Sequence, residues 1–140
     1  FLLLKRADSA ASVKIYAPGI ADEPGHRYST EPYKGEGLAN AVAEALLTIS
    51  DNTIKEVFAS FNGENINAKE WGVATIRNHK NFDNDFNIIH PADCYGDIGA
   101  ATGPVLIALA SIGMQKGYYK KPMLIWAASE IQQRAAVLMA

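Results

Sequence analysis

Cys94 is the chain's only thiol, and His90 stands shortly before it. A cysteine becomes a nucleophile beside a base and an electropositive pocket, and this pair has no diagnostic spacing, so Cys94 reads as an inert thiol. His26, His79 and His90 fall in three separate segments. His90 and Asp93 alone make no metal-ligand set, so no metal is expected. Ser60 and Ser111 lack the G-x-S-x-G elbow of a serine nucleophile. Asn62, Glu64, Asn65 and Asn67 cluster behind a run that reads as a strand, where polar groups either line a crevice or make a solvated turn.

The segment Gly96-Asp97-Ile98-Gly99-Ala100-Ala101-Thr102-Gly103 is the most informative. Small residues where a strand passes into a helix let backbone or ligand approach closely. Its glycine spacing fits neither the dinucleotide G-x-G-x-x-G nor the phosphate-loop pattern, so no nucleotide and no other cofactor is expected. Asp97 can cap the following helix, and Gly99 and Gly103 fall on one helical face, where they would permit tight packing.

The elements that must position these residues follow from apolar periodicity. Val13, Ile15 and Ala17 alternate with Lys14 and Tyr16 as a strand does, and Pro18-Gly19 is expected to end it. Asp22 to Gly37, with two Pro and three Gly, reads as a long loop that is either functional or mobile. From Leu38, the positions Val42, Ala45, Leu46 and Ile49 recur at helical spacing until Ser50-Asp51-Asn52. Ile54 to Phe61 reads as a strand, and Asn62-Gly63 as a turn. Asn67 to Lys80 reads as a helix, with Asn67 as N-cap and Glu70 behind it. Phe86 to His90 is a short strand closed by Pro91. A buried helix runs from about Gly99 to Lys116, and Met123 to Ala128 with Ala135 to Met139 form an antiparallel hairpin joined by Ser129 to Arg134. Trp71 and Trp126 read as core. The expected fold class is α/β: a five-stranded mixed sheet, mainly parallel with the last pair antiparallel, and helices on both faces.

Length and charge narrow the function. With 140 residues, 49% of them hydrophobic and 20% charged, the chain fits one compact globular domain. Thirteen Lys and Arg against fifteen Asp and Glu leave a net charge of -2, which offers no basic field for nucleic acid. The charge-free stretch Ile98 to Met114 contains Gly99, Gly103, Pro104 and Gly113 and is too short to cross a bilayer. A lone cysteine and the absence of an Asn-x-Ser/Thr sequon suit a reducing, cytoplasmic setting. The abrupt apolar run Phe1 to Leu4 and the apolar residues Ala135 to Ala140 read as cut ends of a longer protein.

Taken together, these residues resemble the carboxy-terminal half of the thiolase-fold condensing enzymes, in particular the β-ketoacyl-[acyl carrier protein] synthases. That family's repeated half runs strand-helix-strand-helix-strand-helix-strand-strand, the order read above. By resemblance, Phe1 to Ala7 matches the last strand of the preceding half running into the crossover, so that residues 1–12 are the end of that half and the crossover, and 13–140 the carboxy-terminal thiolase-like domain. Gly35-Glu36-Gly37-Leu38 matches the entry to the half's first helix, and Gly99-Ala100-Ala101-Thr102-Gly103 the start of the family's buried helix.

The resemblance implies an acyltransferase of fatty-acid or polyketide-type metabolism, acting on thioesters of acyl carrier protein or CoA, as a homodimer whose nucleophilic Cys lies in a missing amino-terminal half. It also implies two catalytic positions in this half, held in the family by two His or by a His and an Asn. Here they match Ser60 and Asp97, so neither His carries over. Substrate-cleft candidates are Asn62, Glu64, Gly99 and Thr102. Stabilising a developing enolate needs hydrogen-bond donors; Ser60 can supply one, while an ionised Asp97 opposes the charge. The chain is thus expected to be inactive alone. The alternatives are a non-catalytic scaffold like the chain-length-factor subunits and an unrelated α/β small-molecule binding domain.

Overall fold

The computed structural model describes residues 2–8, 10–49 and 53–140. Five strands form one sheet in the order β1-β5-β4-β2-β3. They are β1 (Gly19–Asp22), β2 (Ile54–Ala59), β3 (Phe82–Ile89), β4 (Met123–Ala128) and β5 (Gln133–Met139). The helices are α1 (Glu36–Leu46), α2 (Asn65–Arg77), the short α3 (Ala92–Tyr95) and α4 (Thr102–Gln115). β4, β2 and β3 are parallel neighbours, and β5 is antiparallel to both β4 and β1. β1 therefore runs the same way as β4, β2 and β3, and β5 alone is reversed. The expected mixed α/β sheet is present.

Strand alternation creates two cores. Val57, Leu124, Trp126, Ala136 and Leu138 face α1 and α2, where Leu38, Val42, Ala45 and Trp71 meet them. Phe58, Met123, Ile125 and Met139 point the other way, onto Leu106, Ala110 and Met114 of α4. Helices thus cover both faces. Trp71 and Trp126 stack at 5.6 Å and both are buried, as their place on regular elements suggested.

Several boundaries differ from expectation for identifiable reasons. The first strand is Gly19–Asp22 rather than Val13 to Ala17. The earlier residues do lie along β5, with Ile15 bridging Met139 and the Lys14 and Tyr16 amides bonding the Ala140 and Leu138 carbonyls. Pro18, with no N–H to donate, interrupts the ladder there. α1 starts earlier than Leu38, because Gly35 turns the chain at a φ of 68° that other residues rarely adopt. Its expected stop, Ser50-Asp51-Asn52, lies outside the described residues.

α2 is flanked by Glu64 rather than Asn67; Asn67 bonds the Asn62 side chain instead, and Glu70 is buried mid-helix. β3 begins at Phe82 rather than Phe86. As an edge strand it tolerates Asp83, Asn84 and Asp85 facing solvent, while Phe82 and Phe86 pack edge-on against Trp71. The expected helix from Gly99 opens as a 3-10 turn, Gly99–Ala101, before α4. α4 is not buried all round, since Leu109 and Ile112 are 38% and 52% exposed. A Cβ built at Gly99 or Gly103 meets nothing within 4 Å, so the expected tight packing at those glycines is absent.

Candidate functional site

In an open α/β sheet, the carboxyl ends of parallel strands leave a crevice, because the chain must depart there into connecting loops. Here β2 delivers Ser60 and Asn62, and β4 delivers Ala127 and Ala128, side by side at that edge. The segment between β3 and α4 brings Asp97, Gly99 and Thr102 to the same place. All six residues singled out in the sequence, Ser60, Asn62, Glu64, Asp97, Gly99 and Thr102, line one cleft of about 780 Å³.

The cleft is wired by short polar bonds. Ser60 Oγ accepts the Ala128 N–H at 3.1 Å. The Asp97 carboxylate accepts the Gly99 N–H at 2.8 Å on one oxygen and Asn62 Nδ2 at 3.1 Å on the other. Asn62 in turn accepts the Glu64 N–H at 3.2 Å and Asn67 Nδ2 at 2.9 Å. The Gly99 amide, and then the Asn62 side chain, hold the Asp97 carboxyl below the usual aspartate range. Asp97 thus caps the turn at Gly99; α4 itself begins at Thr102, with Ala101 before it and no side-chain cap, which corrects the expected role.

Two sets of bonds at the cleft have no counterpart in the sequence expectations. The first anchors the loop from Glu23 to Gly35, which lies within the stretch expected to be a long loop. Buried Glu23 accepts the Gly37 N–H at 2.8 Å and the Lys34 N–H at 3.3 Å, tying the loop base to α1. The loop tip crosses the cleft: Arg27 pairs with Glu64, and Tyr28 OH donates to Glu130 at 3.1 Å. The second is that of Arg134, whose Nε donates to both carboxylate oxygens of Glu70 at 2.8 Å. Its Nη1 donates to the carbonyls of Ser129, Ile131 and Gln133, which fixes the β4–β5 turn at the cleft wall. Burial raises the Glu70 carboxyl and Arg134 pulls it back. Neither connection has a local signal: Glu70 reads from sequence as part of a helix start and Arg134 as the end of a polar connection.

The remaining candidates lie elsewhere. His90 Nδ1 meets Asp93 at 2.7 Å, and its ring packs edge-on against Phe61, outside the cleft lining. Cys94 is exposed. Among the described residues, no group of three or more His, Cys, Asp and Glu gathers as a metal site. No described helix is long and apolar enough to cross a membrane. A larger, mostly apolar groove of about 1050 Å³ lies between residues 2–8 and 10–16, α4 and the β4–β5 face, and adjoins the cleft through the shared residues Gly103, Ala127 and Ala135.

No family model and no curated protein matches the sequence. The fold does have a solved counterpart. The structure of 3-oxoacyl-[acyl-carrier-protein] synthase III from Aquifex aeolicus VF5 superposes with a TM-score of 0.58 at 14% sequence identity, covering 94% of this chain and 46% of that one. The chain therefore has a thiolase-like fold and spans just under half the length of that structure.

Proposed function

We infer that the chain is the carboxy-terminal half of a β-ketoacyl-[acyl carrier protein] synthase-like protein of fatty-acid or polyketide-type metabolism, supplying one wall of a thioester cleft. The observation that carries this reading is the convergence of Ser60 and Asp97, the residues matching the family's two catalytic positions, on one cleft with Asn62, Glu64, Gly99 and Thr102. Ser60 Oγ accepts a backbone N–H, which leaves its own proton for a thioester carbonyl. Asp97 offers only acceptors, so the pair cannot stabilise an enolate as two donors would. In this reading the nucleophile belongs to the amino-terminal half, residues 1–12 are the end of that half and the crossover, and 13–140 are the thiolase-like domain.

The half-exposed apolar side chains Leu109 and Ile112 on α4 favour a second layer over that helix, supplied by the other half, with a homodimer as the full assembly. The working compartment is the cytoplasm, and the acyl group arrives on acyl carrier protein or CoA. The charge of Asp97 also supports a second reading: a ketosynthase-like scaffold, akin to a chain-length factor, that shapes a partner's cleft without catalysis.

Titration of the chain with S-acetyl-pantetheine, followed by amide NMR, tests the thioester reading. Shifts confined to Asn62, Gly99, Thr102 and Ala128 are expected. An unperturbed cleft would refute it. A malonyl-thioester decarboxylation assay is expected to give no turnover above a boiled control, and turnover would overturn the claim that the chain alone is inactive.

A further inference from the structure

Charge inside the cleft is unevenly satisfied. Among the described residues, Arg27, Glu64, Asp97, Glu130 and Arg134 are the charged groups that line it. Both cations are already committed: Arg27 to Glu64, and Arg134 to Glu70 and three carbonyls. Asp97 has no such cation, and Glu130 has only the outlying charge of Arg27, which is bonded to Glu64. Asp97 is held by the neutral Gly99 and Asn62 groups, and Glu130 by the Tyr28 hydroxyl. Among the described lining residues, the cleft therefore presents one carboxylate without a cation, Asp97, a second, Glu130, that Arg27 offsets only in part, and no uncommitted guanidinium or ammonium to receive an anion.

From this we propose that Asp97, assisted by Glu130, makes the cleft exclude anions, so that it takes thioesters of uncharged acyl groups and turns away malonyl-type groups that carry a free carboxylate. The substrate class rests on the thioester reading above; the exclusion of anions does not. Donation from Gly99 and Asn62 keeps Asp97 ionised at neutral pH, so the exclusion operates under ordinary conditions. A carboxylate brought within several ångströms of Asp97 in this partly solvated site is disfavoured by about tenfold per uncancelled charge. The same charge attracts an ammonium group, which gives the test its sign.

The charge selection is measured without any substrate. Thr102, half-buried in the cleft wall, is replaced by Cys in a Cys94→Ser background, and the thiol is labelled with cationic, neutral and anionic methanethiosulfonates of similar size. Relative to a free thiol, the cationic reagent is expected to gain and the anionic one to lose, by about tenfold between them. Asp97→Asn should collapse most of that ratio, Glu130→Gln a smaller part, and added salt should weaken it. A ratio equal to that of a free thiol, or one unchanged by Asp97→Asn, overturns the proposal.

In parallel, the unaltered chain is titrated with S-acetyl- and S-malonyl-pantetheine, neither of which carries a phosphate. Binding of the acetyl form alone, with malonyl binding recovered in Asp97→Asn, is the expected result. Equal binding of the two overturns the substrate class. Binding of neither, with the labelling ratio intact, overturns the thioester reading while the anion exclusion stands.

Discussion

Removing the Glu70 carboxylate is expected to cost this fold a large share of its stability. Glu70 is 0% exposed and Arg134 3%, so Glu70→Ala leaves a guanidinium in the interior with carbonyls but without the carboxylate bonded to it. Breaking a buried pair by deleting one partner costs about 3–5 kcal/mol, against about 5–15 kcal/mol of total stability for a domain. For a chain of this size that is a fall in Tm of roughly 10–15 °C. The pair itself contributes less than this loss suggests, since burial raises the Glu70 carboxyl despite Arg134. Replacing both, as Glu70→Leu with Arg134→Met, should therefore recover most of the loss.

Urea unfolding read by tryptophan fluorescence measures all three proteins, because Trp71 adjoins Glu70 in sequence and stacks on Trp126. A Glu70→Ala cost below about 1 kcal/mol would mean that water reaches Arg134. A double variant less stable than the single one would mean that the two groups are not coupled; either result refutes the reasoning.

The state of Asp97 is open to direct titration. Its hydrogen bonds to Gly99 and Asn62 set its folded pKa below the unfolded value, so the stability it adds is complete above the ordinary aspartate range and is lost as pH falls through the depressed value. A carboxyl NMR titration should place Asp97 below a model aspartate and show it rising in Asn62→Ala; no change in that variant would contradict the assignment. Gly19→Ala tests the contact of α1 with β1: its Cβ would stand 2.0 Å from the Ala41 carbonyl oxygen and 2.7 Å from the Ala45 nitrogen. A loss of about 3 kcal/mol in urea is expected. Gly103→Ala, which meets nothing within 4 Å, should cost nothing or stabilise α4 slightly, and the reverse order would discredit the packing.

How far the sequence discloses this molecule depends on whether a residue's environment is set by its near neighbours. α1, β4 and β5 were legible because one-sided or continuous burial writes a period into adjacent positions. β1 was not: Gly-Ile-Ala-Asp has no alternation to read, and its strand character comes from β5, which lies more than a hundred residues away along the chain. The polar start of β3 failed for the complementary reason, since an edge strand can leave its outward residues in water.

The candidate site divides along the same line. Turn chemistry and the family resemblance located Ser60, Asn62, Glu64, Asp97, Gly99 and Thr102, all within short segments at element ends. The charges that decide what the cleft can hold come instead from pairings across the fold. Arg27 reaches Glu64 from a loop that sequence alone left open between function and mobility, and Glu70 reaches Arg134 between a helix and a strand. A sequence reading could therefore ask whether Asp97 opposes a negative charge, but only the folded chain shows that both nearby guanidinium groups are already engaged. For this cleft, selectivity follows less from which charged residues are present than from which of them have already been neutralised.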